Sequence, residues 1–304
     1  MEIGIKYLIL EDNYIKICLP EILIVYLHHN NKNKGYIYNK LPLMIKLYDL
    51  LTEQVNAPKA IILAGAPGAG KGYVLKGLDL GGLKMMNIDN IFIDKLKQAN
   101  VTLDLKNATP EERSEQAKAM AAANKEFKGE LQNVITGKES FVLDGTAASV
   151  KQTSTLKDEL EEAGYEVFML YVYTDLERSL SQNQDRFDKS GGEDRSLAPA
   201  IVMRTWMNVT KNYETYKDMF GNNFVLVANT LEDKMDNVDD IIKKYLDPFK
   251  PTGTKEKTPA QQARSDKQYA EMKADISQLL KSDFSKDSLS KEEAQSKIKQ
   301  FLSK

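Results

Sequence analysis

Residues 59–73 read KAIILAGAPGAGKGY, so an apolar run leads directly into a loop that contains four glycines and a lysine. Gly65, Gly70 and Lys71 have the spacing G-x-x-x-x-G-K, in which bare backbone N–H groups surround phosphate oxygens. The apolar run predicts a strand buried on both faces, and the residues after the lysine are compatible with a helix. A strand, this loop and a helix are together the context in which the spacing binds a nucleotide.

The predicted phosphate contacts are the nine residues of the loop: Gly65, Ala66, Pro67, Gly68, Ala69, Gly70, Lys71, Gly72 and Tyr73. Lys71 can reach the outer phosphates as a compact charge. After that lysine the usual motif has a Ser or Thr whose hydroxyl binds magnesium, and Gly72 and Tyr73 stand there instead. Magnesium bound at this loop must therefore depend on water, nucleotide oxygens and carboxylates from elsewhere in the chain.

Strand and helix patterns alternate from Lys59 onward. A long helix is predicted from Pro110 to Ile135, with a capping box before it, and Pro199 opens a helix that we expect to end at Gly221. Such alternation predicts an α/β fold with a parallel sheet covered by helices on both faces. Ligands of such sheets bind at the carboxyl ends of the strands. The predicted strands are residues 59–65, 83–89, 140–146, 166–174 and 223–229.

The lone cysteine and both histidines lie in the first 43 residues, as Cys18, His28 and His29. A body that begins near Met44 has no thiol nucleophile, no imidazole base and no His/Cys metal site. Proton transfer is then left to a carboxylate or a lysine, and a metal would be a hard ion on oxygen ligands. Residues 44–249 carry 25 basic and 32 acidic side chains, which argues against duplex nucleic acid as a partner.

Three acidic residues are candidates for chemistry. Asp89 ends the predicted second strand and is our candidate general base; the alternative is that it only caps a helix at 91–97. Asp94 is the second choice for the base. Asp144 ends the run SFVLD of the third strand, where phosphate-loop enzymes have an acid that holds magnesium. The alternative for Asp144 is that it only caps the next turn.

Four arginines follow the fourth strand: Arg178, Arg186, Arg195 and Arg204. Planar guanidinium groups suit the equatorial oxygens of a phosphoryl group in transfer. The polar stretch 188–196 interrupts the helical pattern, and Arg186 and Arg195 flank its glycines. We therefore predict a mobile lid there, with these two arginines contacting phosphate.

The ends of the chain differ from the body, so we expect an appendage (1–43), a catalytic domain (44–249) and a linker with a helical tail (250–304). Two capped amphipathic helices in the tail pack on the body or bind a protein partner. The apolar stretch 17–27 is too short for a membrane helix and contains Pro20 and Glu21, and the amino-terminal residues are acidic. We expect a cytoplasmic protein without a membrane partner.

The order of these motifs resembles the zeta-toxin-like P-loop kinases over residues 59–230, through GAPGAGKG, NIDN, FVLDGT, EEAGYEVFMLYV and QNQDRFDKSGGEDR. The resemblance implies a P-loop kinase fold with five parallel strands. It implies ATP and Mg²⁺ as cofactors and transfer of the γ-phosphate to a hydroxyl of a small molecule, a nucleotide sugar or a polynucleotide end. By residue, it implies nucleotide contact by Lys71, base catalysis by Asp89, substrate contact at the turn with Asp144 and Thr146, and phosphate contact by Arg186 and Arg195.

Two other functions remain open. The loop GAPGAGKG also resembles that of adenylate kinases, which would make the chain a nucleoside-monophosphate kinase, but NIDN and LDGT do not support this. The missing loop hydroxyl is also compatible with a module that binds a nucleotide and transfers nothing. In the zeta-toxin-like kinases a basic residue can follow the turn that corresponds to Asp144–Thr146. It is absent here, because Ala147 and Ala148 stand at that place.

Overall fold

The computed structural model describes residues 7–11, 14–18, 24–28, 57–76, 83–191, 194–248, 258–282 and 284–303. The chain divides into two compact units, Met1–Asn56 and Ala57–Lys304. In the first, β1 (Tyr7–Glu11), β2 (Tyr14–Cys18) and β3 (Ile24–His28) form an antiparallel sheet. The proposed linker at 250–257 lies outside the described residues.

Five strands form the parallel sheet of the second unit, which confirms the predicted architecture. They lie in the order β5-β6-β4-β7-β8, with the strand before the phosphate loop at the centre. All six residues of that central strand are buried, as its apolar sequence predicts. The strands are β4 (Lys59–Ala64), β5 (Lys84–Met86), β6 (Phe141–Asp144), β7 (Glu166–Tyr173) and β8 (Phe224–Ala228).

Ten α-helices are described along the same unit: α1 (Lys71–Leu75), α2 (Ile88–Gln98), α3 (Pro110–Thr136), α4 (Val150–Glu162), α5 (Leu176–Lys189), α6 (Pro199–Lys211), α7 (Tyr213–Phe220), α8 (Val238–Ile241), α9 (Pro259–Leu279) and α10 (Lys291–Leu302). The predicted capping box of α3 is present, because the Thr109 hydroxyl accepts from Glu112 N and the Glu112 carboxylate accepts from Thr109 N. These contacts satisfy two backbone N–H groups that a helix start leaves free. No described helix is both long and apolar enough to cross a membrane.

Two helix predictions need correction. The helix that starts at Pro199 breaks at Asn212, whose side-chain amide donates to Ala148 O at 3.1 Å, and α7 then continues to Phe220. Helix α5 extends through Arg186 to Lys189, so residues 188 and 189 are helical and do not interrupt it. The centre of the predicted lid, residues 192 and 193, lies outside the described part of the chain.

Helices cover both faces of the sheet. On one face, Trp206 of α6 and Ile276 of α9 are completely buried in the larger apolar cluster. On the other face, Ile298 and Phe301 of α10 pack in a cluster with Phe168 of the sheet. The apolar sides of both tail helices therefore pack within the chain, while Tyr269 of α9 is 41% exposed.

Candidate active site

The loop between β4 and α1 has a backbone that only glycine adopts readily. Gly68 and Gly70 have φ angles of 74° and 86°. A Cβ at Gly70 would lie 2.5 Å from Asn229 Nδ2, and a Cβ at Gly68 would lie 2.8 Å from Gln182 Cβ. Both the left-handed backbone and the close neighbours therefore require glycine at these positions.

Some backbone amides of the loop donate within the protein, and others do not. Ala69 N donates to Ala66 O, and Gly65 N donates to Thr146 O on the turn after β6. The amides of Gly68, Gly70, Lys71 and Gly72, in contrast, donate to no acceptor among the described residues. Successive unpaired amides of this kind form a concave binding site for an anion.

Lys71 opens α1 and lies at the centre of the charged groups. Its Nζ donates to Gly65 O at 3.2 Å. Burial lowers the pKa of the Lys71 ammonium below its usual value of 10.5, although the nearby carboxylates of Asp144 and Asp89 act to raise it. The positive charges of Arg186 and Arg195 lower it further. The other four charged residues of the predicted site, Asp89, Asp144, Arg186 and Arg195, therefore all lie within electrostatic reach of the Lys71 ammonium.

Asp144 is the last residue of β6 and accepts a hydrogen bond from Asn87 Nδ2 at 2.8 Å. Burial raises the pKa of the Asp144 carboxyl above its usual value of 3.8, and the charge of Asp89 adds to this effect. The charges of Lys71 and Arg186 and the Asn87 amide oppose it. Ionisation of Asp144 therefore costs free energy in the ligand-free protein, and a cation that binds beside the carboxylate would stabilise its ionised form.

Asp89 does not end the second strand, because β5 stops at Met86 and Asp89 lies in the first turn of α2. Nor does it cap that helix, since Asn87 is the N-cap and its side-chain oxygen accepts from Asp89 N at 2.7 Å. The Asp89 carboxylate instead forms an ion pair with Arg195 Nη2. Asp94, the second choice for the base, is exposed on the same helix.

The other arginines have different surroundings. Arg186, on α5, pairs through Nε with Asp194. Arg178 donates from Nη1 to Thr230 O at 3.1 Å, near the end of β8. Arg204 is exposed on α6. Of the four arginines, the structure thus places Arg186 and Arg195 near Lys71.

Thr146 lies on the turn between β6 and α4 and borders a cavity of about 390 Å³. The polar side chains that line it are neutral: Thr146, Ser149, Gln152, Thr153 and Asn208. Ala147, also at this cavity, has a φ of 51°, and its carbonyl accepts from Tyr216 Oη at 2.7 Å. A cavity next to Asp144 is a candidate position for a second substrate.

Sequence reasoning missed three polar residues of the site, of which Asn229 and Ser179 contact the loop. Asn87 caps α2 and orients Asp144, Asn229 Nδ2 donates to Ala69 O at 2.9 Å, and Ser179 Oγ donates to Pro67 O at 2.6 Å. Asn87 and Asn229 each follow a strand at its carboxyl end, which was the available signal. The contact of Ser179 crosses 112 positions of sequence and leaves no local trace.

The carboxylates near Lys71 suit a hard cation only if a bound ligand supplies further oxygen atoms. Among the described residues, no group of three or more His, Cys, Asp or Glu side chains could hold a metal ion alone. Mg²⁺ usually takes one or two carboxylates together with substrate phosphates and water. Asp144 with the oxygen of a bound nucleotide fits that pattern, whereas Tyr73 does not contribute, being 64% exposed with the Lys291 ammonium 4.0 Å from its ring centroid.

The chain is similar to one protein family and to several solved structures. The zeta toxin family model matches residues 46–238. Comparison with curated proteins gives no match. A structure from the PezAT chromosomal toxin-antitoxin system of Streptococcus pneumoniae is 14% identical, with a TM-score of 0.40, covering 83% of this chain and 100% of that one. The AvrRxo1-ORF1:AvrRxo1-ORF2 complex with sulphate ions is 19% identical, with a TM-score of 0.47 and coverage of 86% and 87%.

Proposed function

Because the chain belongs to the zeta toxin family, we propose that it is an ATP-dependent phosphotransferase. The γ-phosphate of ATP would move to a hydroxyl of a small molecule, a nucleotide sugar or a polynucleotide end. One observation carries this proposal: the unpaired loop amides and Lys71 lie at the same edge of the sheet as Asp89, Asp144, Arg186 and Arg195.

The loop would bind the phosphates of ATP. The amides of Gly68, Gly70, Lys71 and Gly72 have no acceptor in the described part of the chain, and phosphate oxygens would supply one. An anion also compensates the partly buried ammonium of Lys71, whose pKa burial lowers in the ligand-free protein. Phosphate binding thus satisfies donors and a charge that the folded chain leaves unsatisfied.

Asp89 would act as the general base. It would accept the proton of the acceptor hydroxyl as that oxygen attacks the γ-phosphorus, and the bond to the bridging oxygen of ADP would break. Arg195 holds Asp89 in the ligand-free protein, so it must release the carboxylate first. The phosphate oxygens would compete for the same guanidinium, and Arg186, whose charge also acts on Lys71, would share their charge.

Asp144 is the residue that would hold Mg²⁺, with Asn87 fixing the carboxylate through its side-chain amide. The cation would supply charge neutralisation at the β- and γ-phosphates. Since Gly72 has no hydroxyl and Tyr73 is exposed, we expect the affinity for Mg²⁺ to depend on Asp144 and on the nucleotide itself.

Transfer of radiolabelled γ-phosphate from ATP into a metabolite extract and a nucleic-acid extract tests this function and reports the acceptor. We expect a labelled product with the wild-type protein and none with Lys71→Ala, because that variant loses the ammonium at the phosphates. AMP is included as a separate acceptor to test the nucleoside-monophosphate kinase alternative. Lys76→Ala, which changes an exposed lysine at the end of α1, is the matched control and should leave transfer unchanged.

A nucleotide-binding module without transfer is the second candidate. It is favoured by the absence of a hydroxyl at Gly72 and by the pairing of Asp89 with Arg195. If ATP binds in a manner that requires Lys71, yet no label reaches any acceptor in either extract, this second function replaces the first. If ATP does not bind at all, both are wrong.

A further inference from the structure

The last helix of the chain packs against the short helix that follows the phosphate loop. Ala294 and Ile298, on α10, are completely buried. They belong to the same apolar cluster as Ala69 of the loop and Val74 of α1, both of which are about 1% exposed. The loop and α1 therefore pack against α10 on one side.

Gln295 makes the polar part of this contact. Its Nε2 donates to Val74 O and to Lys76 O, both at 3.2 Å. These carbonyls end a helix of only five residues, and the last carbonyls of a helix have no partner within it. So short a helix is not stable alone, because helix nucleation is costly, and it depends on such tertiary contacts.

A second path links the same tail to the other side of the loop. Ser288, just before α10, accepts from Ala228 N at 2.8 Å and forms a parallel bridge to the edge strand β8. The residue after that strand is Asn229, whose Nδ2 donates to Ala69 O. The tail thus contacts α1 directly and supports the strand end that holds the loop.

We propose that residues 284–302 position the phosphate loop and that Gln295 is the positioning residue of this segment. The segment lies beyond residues 46–238, to which the zeta toxin family model is matched, so the family match does not cover it. The inference rests on the proposed function, since the loop is taken to bind ATP. Physically, Gln295 fixes the carbonyl end of α1, and thereby the amides and the ammonium at its other end.

Gln295→Met tests this role, because methionine is close to glutamine in length and volume but lacks the amide, and with it the Nε2 donor. We expect the Kd for ATP, measured by titration calorimetry, to rise about 3- to 10-fold, the range for losing one or two hydrogen bonds. The kcat should change less than about 2-fold, because the loop binds the phosphates equally in the ground state and in the transition state. Gln295→Ala gives a second variant for the same measurement.

Two controls separate positioning from general loss of stability. Gln300→Met makes the same change at an exposed position of α10 and should leave the Kd unchanged. Tyr165→Phe removes hydrogen bonds to Val134 O and Glu139 O, away from the loop, and should lower the thermal midpoint without changing the Kd. A Tyr165→Phe variant that weakens ATP binding as much as Gln295→Met would mean that lost stability alone explains both.

An unchanged Kd in Gln295→Met and Gln295→Ala would overturn the inference. Lys71→Ala in the same titration distinguishes that failure from failure of the proposed function. If Lys71→Ala abolishes binding while both Gln295 variants bind normally, only the role of the tail is wrong. If the wild-type protein does not bind ATP, the proposed function is wrong, and the positioning role goes with it.

Discussion

Arg195 and Asp89 form an ion pair that joins the segment after α5 to the first turn of α2. In this pair, Arg195, which we assign to phosphate binding, contacts Asp89, which we assign to deprotonation of the acceptor hydroxyl. A single anion, the γ-phosphate, would draw Arg195 away and free Asp89. Binding of ATP and exposure of the base would thereby be coupled through one side chain.

Asp89→Asn is expected to leave the Kd for ATP within about 2-fold of wild type and to lower the rate of phosphate transfer by at least ~10²-fold. The amide keeps the shape of the side chain but cannot accept the proton. Asp94→Asn, at the exposed acid one turn further along α2, is the control and should have normal activity. A normal rate in Asp89→Asn combined with a slow Asp94→Asn would transfer the role to Asp94.

Arg195→Ala should slow transfer by at least ~10²-fold, because an arginine on the transferred phosphoryl group supplies much of the charge stabilisation in such enzymes. Arg186→Ala should have a similar or smaller effect, since its guanidinium pairs with Asp194. Arg204→Ala changes an exposed arginine of α6 and is the control. The measurement is the initial rate at saturating ATP; rates equal to that of Arg204→Ala would show that neither arginine contacts the phosphate.

Asp144→Asn is expected to stabilise the ligand-free protein at neutral pH. Because burial raises the pKa of Asp144 above 3.8, the unfolded chain ionises at lower pH than the folded one. The free energy of unfolding therefore falls as the pH rises from about 3.8 through the folded pKa, and an amide avoids that loss.

The thermal midpoint measured by calorimetry checks this sign. We expect the Asp144→Asn midpoint to exceed the wild-type one by roughly 2 °C or more near pH 7, with the difference disappearing near pH 4. Asp158→Asn, at an exposed position on α4, should show no such pH dependence. A lower midpoint for Asp144→Asn at neutral pH would mean that its attraction to Lys71 outweighs the cost of burial.

Local sequence signals predicted the parts of the fold that depend on neighbouring residues. The strand β4, the loop and the capping box at Thr109 follow from patterns within about ten residues of one another. Asp89 was misplaced because β5 is only three residues long and Asn87 starts the next helix at once. The apolar residues before Asp89 do not show that the strand has already ended at Met86.

Contacts between distant residues could not be predicted in this way. The helical spacing of Ile298 and Phe301 showed that α10 has an apolar side, but any uncovered face of the body could have accepted it. The position of α10 beside α1 depends on which part of the sheet the other helices leave uncovered. For the same reason, the hydrogen bonds of Gln295 cross about 220 positions and have no counterpart in the local sequence.

Gly72 occupies the position at which related loops carry the hydroxyl for magnesium, and the structure leaves room to restore it. A Cβ at Gly72 would meet no atom within 4 Å, in contrast to Gly70. The residue lies within α1, where glycine costs about 0.5–1 kcal/mol relative to alanine. Gly72→Ser and Gly72→Ala should therefore both fold at least as well as the wild-type protein.

Only the serine variant adds an oxygen ligand beside Lys71. We expect Gly72→Ser to lower, several-fold, the Mg²⁺ concentration that gives half-maximal phosphate transfer, because hard cations gain from each added oxygen ligand. Gly72→Ala should have the wild-type Mg²⁺ dependence, which separates the ligand from the effect on the helix. Equal Mg²⁺ curves for all three proteins would mean that the ion is held away from this end of α1, and that Asp144 does not share it with the loop.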